Sequence, residues 1–304
     1  MYDIIIIGAG PAGLTAAIYA SRASKKVLVL EANSYGGQII NALSIENYPG
    51  NMHISGFDLA SSFYHQAKEL GAVILFERVL SIKNGKKIKK VITDKTTYEA
   101  KAIIIATGCS SRSLSLSNEK MLIGRGLSYC ATCDGAFFRE KIVAIVGGGN
   151  TAIEDAIYLS DIAKKVYLIH RRDKFKADDK SINLLRTKTN VEFLLNSNVV
   201  KLNGNDKLES IDVKNNNKIR NIQVDGLFIA IGKVPETDIF KNIINLDDNG
   251  YIIAKENCHT NKLGIFVAGD VRRKNIRQLV TATSDGSIAA IEAINYINSN
   301  KMKI

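Results

Sequence analysis

A pattern of strand, glycine turn, helix and second strand occurs twice in this chain, and it constrains the fold more than any other feature. In the first copy, the apolar run Ile4 to Ile7 ends in the turn G-A-G-P-A-G at residues 8–13. In the second copy, the apolar run Ile142 to Val146 leads into G-G-G-N-T-A at residues 147–152. A lone G-x-G-x-x-G is a weak signal, but one framed by strand and helix is typical of a dinucleotide-binding unit.

The residue types of the first copy suit a pyrophosphate and a ribose. Gly8 and Gly10 allow a tight turn and close approach of the phosphates, and Gly13 lets the helix pack on the strand. The N-terminus of the helix faces the phosphates. Glu31 closes the second strand, where its carboxylate is placed to accept hydrogen bonds from a ribose 2′-hydroxyl.

The second copy has a different residue at the ribose position. His170 occupies it, and Arg171 and Arg172 follow. Loss of the carboxylate and gain of two guanidinium groups replaces an acceptor for a 2′-hydroxyl by a clamp for a 2′-phosphate. We therefore expect this site to prefer NADPH over NADH; the alternative interpretation of the two arginines is a solvated charge run.

Later strands show how the two copies are connected. Each copy has a further apolar run that ends in glycine, at residues 102–108 and 227–232. A third such run, 264–270, has no counterpart in the second half and is followed by a helix-like stretch from 281 to about 298. We interpret it as the return of the chain to complete the first domain.

The expected fold class is α/β, with two Rossmann-like dinucleotide-binding domains, the second inserted into the first. The expected boundaries are residues 1–113 and 237–304 for the first domain and residues 114–236 for the second.

A C-x-x-C-D cluster, Cys130 to Asp134, lies just before the second glycine turn. The 304 residues contain neither a signal-peptide pattern nor an apolar run long enough to cross a membrane, so we expect a cytoplasmic protein. In that compartment a C-x-x-C is typical of redox or metal chemistry. Zinc needs four ligands, and Cys109 and Cys258 show no second paired spacing, so we expect no metal. A Cys130–Cys133 disulfide is feasible if the segment turns.

The net charge of +11 has two interpretations. The lysines are spread along the chain without a basic tract or interleaved aromatic residues, so we expect neither a nucleic-acid nor a membrane partner. Compositional bias is one explanation of the charge. Attraction of an acidic protein partner is the other.

Glycine fingerprint, C-x-x-C-D, second fingerprint and a terminal A-G-D, in that order, resemble the low-molecular-weight thioredoxin reductases, a class of the pyridine nucleotide-disulfide oxidoreductase family. The resemblance covers nearly the whole chain. It also includes E-N-Y-P-G at 46–50, A-T-G at 106–108, G-R-G at 124–126, H-R-R-D at 170–173, G-K-V-P at 232–235 and R-Q at 277–278.

This resemblance implies that the first domain binds FAD and the second NADPH. The residues that would hold FAD are Gly8, Gly10, Pro11, Ala12, Gly13, Glu31, Gly36, Gly37, Gln38, Asn47, Asp270, Arg277 and Gln278. Those that would hold NADPH are Gly147, Gly149, Asn150, Thr151, His170, Arg171, Arg172 and Lys176. Lys176 stands where the family often has arginine, so a point charge replaces a bidentate fork.

The resemblance also implies roles for the dithiol. Cys133 would interact with the flavin, Cys130 would attack the disulfide of the protein substrate, and Asp134 would be the general acid or base, unless it merely caps a helix. Family members are homodimers, and we expect the inserted domain to rotate during turnover. Arg125 would either contact thioredoxin or form a structural salt bridge.

The expected function is NADPH-dependent reduction of thioredoxin through FAD and the Cys130–Cys133 disulfide. One alternative is a reductase of another small thiol protein, such as a glutaredoxin-like carrier or a peroxidase partner. Another is a non-catalytic flavin-binding redox sensor. The His170-Arg171-Arg172 cluster argues against the sensor, because a sensor has little need of a nicotinamide clamp.

Overall fold

The computed structural model describes residues 1–42 and 44–301 and divides the chain into two compact units. The first unit consists of residues 1–110 and the chain from residue 234 onward, and the second unit of residues 111–233. The junctions fall a few residues before the boundaries expected from the sequence. Each junction lies within a short strand, and these two strands pair with each other.

The helices are α1 (Pro11–Arg22), α2 (Gly56–Glu69), α3 (Glu119–Leu122), α4 (Ala131–Asp134), α5 (Asn150–Ser160), α6 (Asp179–Arg186) and α7 (Leu279–Lys301), with short 3₁₀ helices at Gly37–Asn41, Gly135–Phe138 and Asp238–Phe240. The strands are β1 (Tyr2–Ile7), β2 (Val27–Glu31), β3 (Val73–Phe76), β4 (Val79–Asn84), β5 (Lys89–Thr93), β6 (Thr97–Ile105), β7 (Cys109–Ser111), β8 (Leu127–Ser128), β9 (Ile142–Gly147), β10 (Lys165–Ile169), β11 (Val191–Leu194), β12 (Ser197–Asn203), β13 (Ser210–Asn215), β14 (Lys218–Gln223), β15 (Gly226–Ala230), β16 (Lys233–Pro235) and β17 (Ile265–Val267).

The first unit is built on a sheet with the order β3-β2-β1-β6-β5-β4, in which β17 also pairs with β6. Strands β3, β2, β1, β6 and β17 are parallel, and β4 and β5 form an antiparallel extension. Successive residues of β1 point to opposite faces, so Ile4 and Ile6 join one core cluster while Ile5 and Ile7 join the other. This burial on both faces explains the continuous isoleucine run.

The return of the chain to the first unit is seen in the pairing of β17. Ile265 lies opposite Ile103 and Val267 opposite Ile105, in parallel register. Helix α7 then packs closely against α1. These pairings confirm the expected α/β class with the second unit inserted into the first.

The second unit has a parallel sheet with the order β11-β10-β9-β15-β8 and a separate antiparallel sheet, β12-β13-β14. Its buried side chains form two clusters, one on each face of the parallel sheet. Strand β8 is the edge strand, where Leu127 pairs with Leu227. The C-x-x-C-D segment follows directly after this edge strand.

In the part of the chain that the structure describes, no helix is both long enough and apolar enough to cross a membrane.

Candidate active site and nucleotide sites

The first glycine turn is held tightly against its own unit. Gly8 has φ +107°, and a Cβ there would lie 2.4 Å from the carbonyl oxygen of Ala106. A Cβ at Gly13 would lie 1.9 Å from the carbonyl oxygen of Gly8. Around Gly10, in contrast, the nearest atom to such a Cβ is the Cα of Gly37, at 3.9 Å. The turn therefore requires glycine for packing at Gly8 and Gly13 and leaves open space at Gly10.

Glu31 contacts this turn through its carboxylate. One oxygen accepts the backbone N–H of Ala9 at 2.9 Å, and the other accepts the N–H of Asn33 at 2.9 Å. The N–H of Gly36 donates to the carbonyl of Ala9 at 2.8 Å, which brings the Gly36-Gly37 segment to the same turn. A carboxylate has further acceptor positions, so Glu31 can orient the turn and still accept a ribose hydroxyl.

The Gly269-Asp270 segment also lies at the start of α1. A Cβ at Gly269 would be 2.8 Å from the Cβ of Ala12. The Nε of Arg277 donates to the carbonyl of Asp270 at 3.3 Å, and its guanidinium stacks on the ring of Tyr251, 4.0 Å from the centroid. The structure thus brings the distant A-G-D segment to the first glycine turn.

A buried acidic residue that the sequence analysis did not single out holds this segment in place. Asp285 in α7 is 4% exposed. Its carboxylate accepts the N–H of Gly269 at 3.0 Å, the guanidinium of Arg272 at 2.9 Å and the ammonium of Lys274 at 2.9 Å. These hydrogen bonds and ion pairs offset the free-energy cost of burying the carboxylate.

Other predicted FAD residues are less closely tied to the turn. Pro11 is the first residue of α1, as its fixed φ favours. Gln38 is exposed in the 3₁₀ helix that begins at Gly37, and Asn47 is exposed in a shallow depression lined by residues 46–52. Gln278 lies just before α7, where its backbone N–H donates to the hydroxyl of Thr281.

The second glycine turn packs against its own unit as the first does, but Gly147 lacks the positive φ of Gly8 and its middle residue has a different neighbour. A Cβ at Gly147 would lie 2.4 Å from the carbonyl oxygen of Ala230, whereas a Cβ at Gly149 would meet no atom within 4 Å. A Cβ at the middle residue, Gly148, would lie 2.2 Å from the imidazole ring of His170. The first turn tolerates alanine at its middle position, but here the ring occupies that space.

His170 therefore packs directly against the second glycine turn. It is 8% exposed, stacks on Phe175 with ring centroids 5.2 Å apart, and its Nε2 hydrogen-bonds to the carbonyl of Lys174 at 3.1 Å. Burial, together with the charges of Arg171 and Arg172, lowers the pKa of the imidazole. At neutral pH the ring is therefore uncharged and supports the turn by packing.

The remaining predicted NADPH residues lie in the segments next to this glycine turn and His170. Arg171, Arg172 and Lys176 are exposed, and the backbone N–H of Lys176 donates to the carbonyl of Gly148 at 2.7 Å. The side-chain oxygen of Asn150 accepts the N–H of Asp178 at 3.0 Å. These bonds fold the basic segment back onto the glycine turn. Thr151 is exposed in the first turn of α5.

The two helices that follow the glycine turns differ from others in the fold at their N-termini. Gly10 and Gly149 are the N-cap residues of α1 and α5, so neither helix has a side-chain cap. Neither helix has an acidic residue in its first turn. By contrast, Ser55 caps α2 and Asp178 caps α6. Uncapped N–H groups beside open space are the donor set that a pyrophosphate requires, so both sites fit dinucleotides.

The dithiol lies in the second unit, at the start of α4. Cys130 and Cys133 form a disulfide with a Cα–Cα distance of 5.3 Å. Cys133 is the more exposed of the two, and the hydroxyl of Thr132 lies 3.5 Å from the sulfur of Cys130. The predicted disulfide is therefore present and accessible to a reacting group.

Asp134 is half-buried beside the disulfide. Burial raises the pKa of its carboxyl, although a hydrogen bond from the hydroxyl of Ser128, at 2.6 Å, partly offsets this. Asp134 precedes a 3₁₀ helix, but its side chain makes no capping hydrogen bond there. The Asp134 side chain therefore does not cap this helix.

A second buried carboxylate anchors the segment that leads to the dithiol. Glu119 is 2% exposed and accepts the hydroxyl of Tyr129 at 2.5 Å. It also accepts the N–H groups of Leu114 and Leu116 at 3.0 and 3.3 Å and the hydroxyl of Ser113 at 3.1 Å. Tyr129 immediately precedes Cys130, so this network ties the dithiol to the start of the second unit.

Sequence reasoning missed Glu119, Ser128, Thr132 and Asp285. Ser128 and Thr132 lie within the resembling stretch around the C-x-x-C and Glu119 lies before it, but the sequence does not show which polar side chains will contact a site residue. Asp285 lies in a helix of ordinary composition. Only the folded structure shows that each of these four residues lies beside a site residue.

Arg125 is exposed, and its carbonyl accepts the N–H of Leu208 at 2.8 Å. Cys258 is fully buried, and burial raises the pKa of its thiol to about 12, as suits a small core residue. Cys109 is also buried. Within residues 1–42 and 44–301, the His, Cys, Asp and Glu side chains form no cluster of three or more that could hold a metal ion.

Comparison with known proteins points in one direction. A family model described as pyridine nucleotide-disulphide oxidoreductase matches residues 2–286. The chain is 44% identical over 306 residues to the thioredoxin reductase of Listeria monocytogenes, covering 99% of this chain and 95% of that protein. It is 42% identical over 302 residues to the thioredoxin reductase of Bacillus subtilis, covering 98% and 95%.

Solved structures agree. The thioredoxin reductase of Streptococcus pyogenes matches with a TM-score of 0.95 at 41% identity, over 98% of this chain and 99% of that one. The thioredoxin reductase of Giardia duodenalis matches with a TM-score of 0.93 at 37% identity, over 98% and 99%.

Proposed function

The chain belongs to the pyridine nucleotide-disulphide oxidoreductase family, and we propose that it reduces thioredoxin with electrons from NADPH, through FAD and the Cys130–Cys133 disulfide. It is an oxidoreductase, and the family resemblance drawn from its motifs is confirmed. The observation that carries the proposed reaction is the Cys130–Cys133 disulfide, with the Asp134 carboxyl beside it, in the same unit as a basic dinucleotide site.

FAD fits the first unit. Gly8, Gly10 and Gly13 with the uncapped start of α1 would bind its pyrophosphate, and Glu31 would accept its ribose hydroxyl. Residues at the same turn or near it in sequence would contribute further contacts: Pro11, Ala12, Gly36, Gly37, Gln38, Asn47, Asp270, Arg277 and Gln278.

NADPH fits the second unit. The open space at Gly149 and the uncapped start of α5 suit its pyrophosphate. Arg171, Arg172 and Lys176 would bind the 2′-phosphate, while His170 would support the turn from below. When bound, NADPH and FAD supply two electrons as hydride for reduction of a disulfide.

The dithiol would pass these electrons on. The Cys130 thiolate attacks one sulfur of the thioredoxin disulfide, whose S–S bond breaks, and Asp134 supplies a proton to the departing sulfur. Cys133 then gives its proton to Asp134 and attacks the sulfur of Cys130; the mixed disulfide with thioredoxin breaks, the Cys130–Cys133 disulfide is restored, and the second thioredoxin sulfur leaves as a thiolate. Exposed Arg125 is a candidate contact for thioredoxin.

The experiment mixes the FAD-loaded protein, NADPH and a bacterial thioredoxin, and follows NADPH absorbance. We expect NADPH oxidation that depends on thioredoxin, with a much slower rate for NADH. Cys130→Ser is expected to block thioredoxin reduction while NADPH still reduces the flavin. No oxidation with thioredoxin, but oxidation with a glutaredoxin-like or peroxidase partner, would assign the chain to the alternative carrier.

Absence of oxidation with every disulfide protein would leave only the redox sensor. Homodimer formation stays a prediction from the family resemblance, which analytical ultracentrifugation of the FAD-loaded protein tests. A cytoplasmic location stays a prediction from the sequence.

A further inference from the structure

Ser128 is a buried hydroxyl that lies between the two ends of the C-x-x-C-D segment. It is 5% exposed and ends the edge strand β8, where it pairs with Phe228 of β15. This pairing fixes its backbone independently of the dithiol. The Ser128 hydroxyl is therefore held in place beside the Cys130–Cys133 disulfide, which is reduced and reoxidised in the proposed reaction.

The hydroxyl has three polar neighbours within hydrogen-bond distance. Its oxygen accepts the backbone N–H of Cys130 at 3.0 Å. Its single proton can be donated to Oδ2 of Asp134 at 2.6 Å or to the carbonyl of Cys130 at 3.3 Å. The short distance to Asp134 marks a charge-assisted bond to the carboxylate.

The two possible acceptors of the Ser128 proton correspond to the two ionisation states of Asp134. When Asp134 is a carboxylate, Ser128 donates to it. When Asp134 is protonated, its O–H can donate to the oxygen of Ser128, and the Ser128 proton can turn toward the carbonyl of Cys130. In both states every buried polar group keeps a partner, which avoids the cost of an unpaired donor or acceptor.

We propose that Ser128 is a positioning residue that keeps Asp134 hydrogen-bonded in both of its ionisation states, and so allows it to give up and regain a proton during disulfide exchange. The inference rests on the proposed function for the role of Asp134. Ser128 itself touches no substrate; it acts through the Asp134 carboxyl and the Cys130 backbone.

The charged surroundings of Asp134 have to be separated from this effect. The elements that pack most closely on α4 are α5 and the 3₁₀ helix Gly135–Phe138, which has no titratable residue. Helix α5 carries Glu154, Asp155 and Tyr158. Burial and the Glu154 charge raise the pKa of Asp155 to about 6, so this group can add an inflection of its own to a pH profile.

The test measures how fast the dithiol, reduced with dithiothreitol in the FAD-loaded protein, reacts with a small aromatic disulfide as a function of pH. This assay needs neither NADPH nor thioredoxin. Asp134→Asn identifies the inflection that belongs to Asp134, because that inflection disappears. Asp155→Asn identifies the inflection that belongs to Asp155 in the same way.

In Ser128→Ala, we expect the Asp134 inflection to move up by about one pH unit, because the hydrogen bond that Ser128 donates to the charged carboxylate is stronger than the one it accepts from the protonated form. Ser128→Thr, which keeps the hydroxyl, is expected to restore the native inflection. A merely structural role would lower the rate at all pH values without moving the inflection, and that result would overturn the proposal.

Two further outcomes are informative. If Ser128→Ala does not fold, infrared spectra of the native protein decide, since a protonated Asp134 that donates to Ser128 has a carbonyl band shifted from that of a free carboxyl; an unshifted band contradicts the proposal. If the native protein passes these tests but fails to oxidise NADPH with thioredoxin, the proposed function fails and the Ser128 proposal stands.

Discussion

Tyr129→Phe removes a single hydroxyl from the network that leads to the dithiol. The hydroxyl donates to Glu119 at 2.5 Å, and Glu119 is 2% exposed, so water does not replace the lost donor. A hydrogen bond to a buried charged group contributes about 1.5–3 kcal/mol. Glu119 keeps three other donors, so we expect a loss at the lower end, about 1.5 kcal/mol, in the opening free energy of residues 113–130.

The pH dependence of this effect has a defined sign. Burial alone would raise the pKa of Glu119, but the hydrogen bonds from Tyr129, Leu114, Leu116 and Ser113 outweigh it and lower that pKa. A lowered folded-state pKa stabilises the protein above the unfolded value, about 4.3, and the contribution is lost as pH falls through the folded value. Burial and Glu119 raise the pKa of Tyr129, so its contribution is lost above about pH 10.

Hydrogen–deuterium exchange read by mass spectrometry measures this change locally, which suits a protein of two units for which a single unfolding midpoint has no simple meaning. Tyr98→Phe is the matched control, because the hydroxyl of Tyr98 donates to the buried Glu77 of the first unit at 2.9 Å. It should affect exchange only in the first unit. Unchanged exchange at 113–130 in Tyr129→Phe at neutral pH would refute the reasoning.

Four other substitutions test the nucleotide sites. Arg171→Ala and Arg172→Ala should each raise the KM for NADPH roughly 10-fold or more while leaving the KM for NADH nearly unchanged, because only the 2′-phosphate loses its partner; equal effects on both nucleotides contradict the clamp. Gly148→Ala should destabilise the second unit by about 1–3 kcal/mol and weaken NADPH binding, measured by hydrogen exchange and by titration, since the new Cβ would lie 2.2 Å from the His170 ring. Asp285→Asn should release FAD more readily and destabilise the first unit by about 3 kcal/mol, because the side chains of its two cationic partners, Arg272 and Lys274, are only 14% and 9% exposed and lose their counter-charge. Retention of FAD equal to that of the native chain, measured by absorbance after dialysis, counts against this role.

The sequence carried enough information to predict the α/β class and the inserted second unit. Local patterns were sufficient for this, because an apolar run, a glycine turn and a helix lie next to each other in the chain. The disulfide was equally local, since Cys130 and Cys133 are separated by one turn of backbone. The dithiol was therefore recognisable without any knowledge of the fold.

The exact role of His170 was not recognisable in this way. Its position relative to the glycine turn suggested a phosphate contact, but its ring lies where a Cβ of Gly148 would be, and burial keeps it neutral. Strand β10 ends beside the turn after β9 because the two strands pair in parallel register, Ile169 opposite Val146. This pairing register of β9 and β10 places the His170 ring against Gly148. The register cannot be read from the residues around His170 alone.

By itself, then, the sequence determined the glycine turns, the cysteine pair and the order of the units, because each depends on residues that are close along the chain. The tertiary structure alone decided which polar side chains became buried partners of those residues. Asp285 meets Gly269 because α7 packs on α1 after β17 has joined the first sheet, and Ser128, hydrogen-bonded to Asp134, is buried in the strand β8 that pairs with β15 at the edge of the second. Burial strengthens the hydrogen bonds and ion pairs that these side chains make, and burial depends on how the whole chain packs.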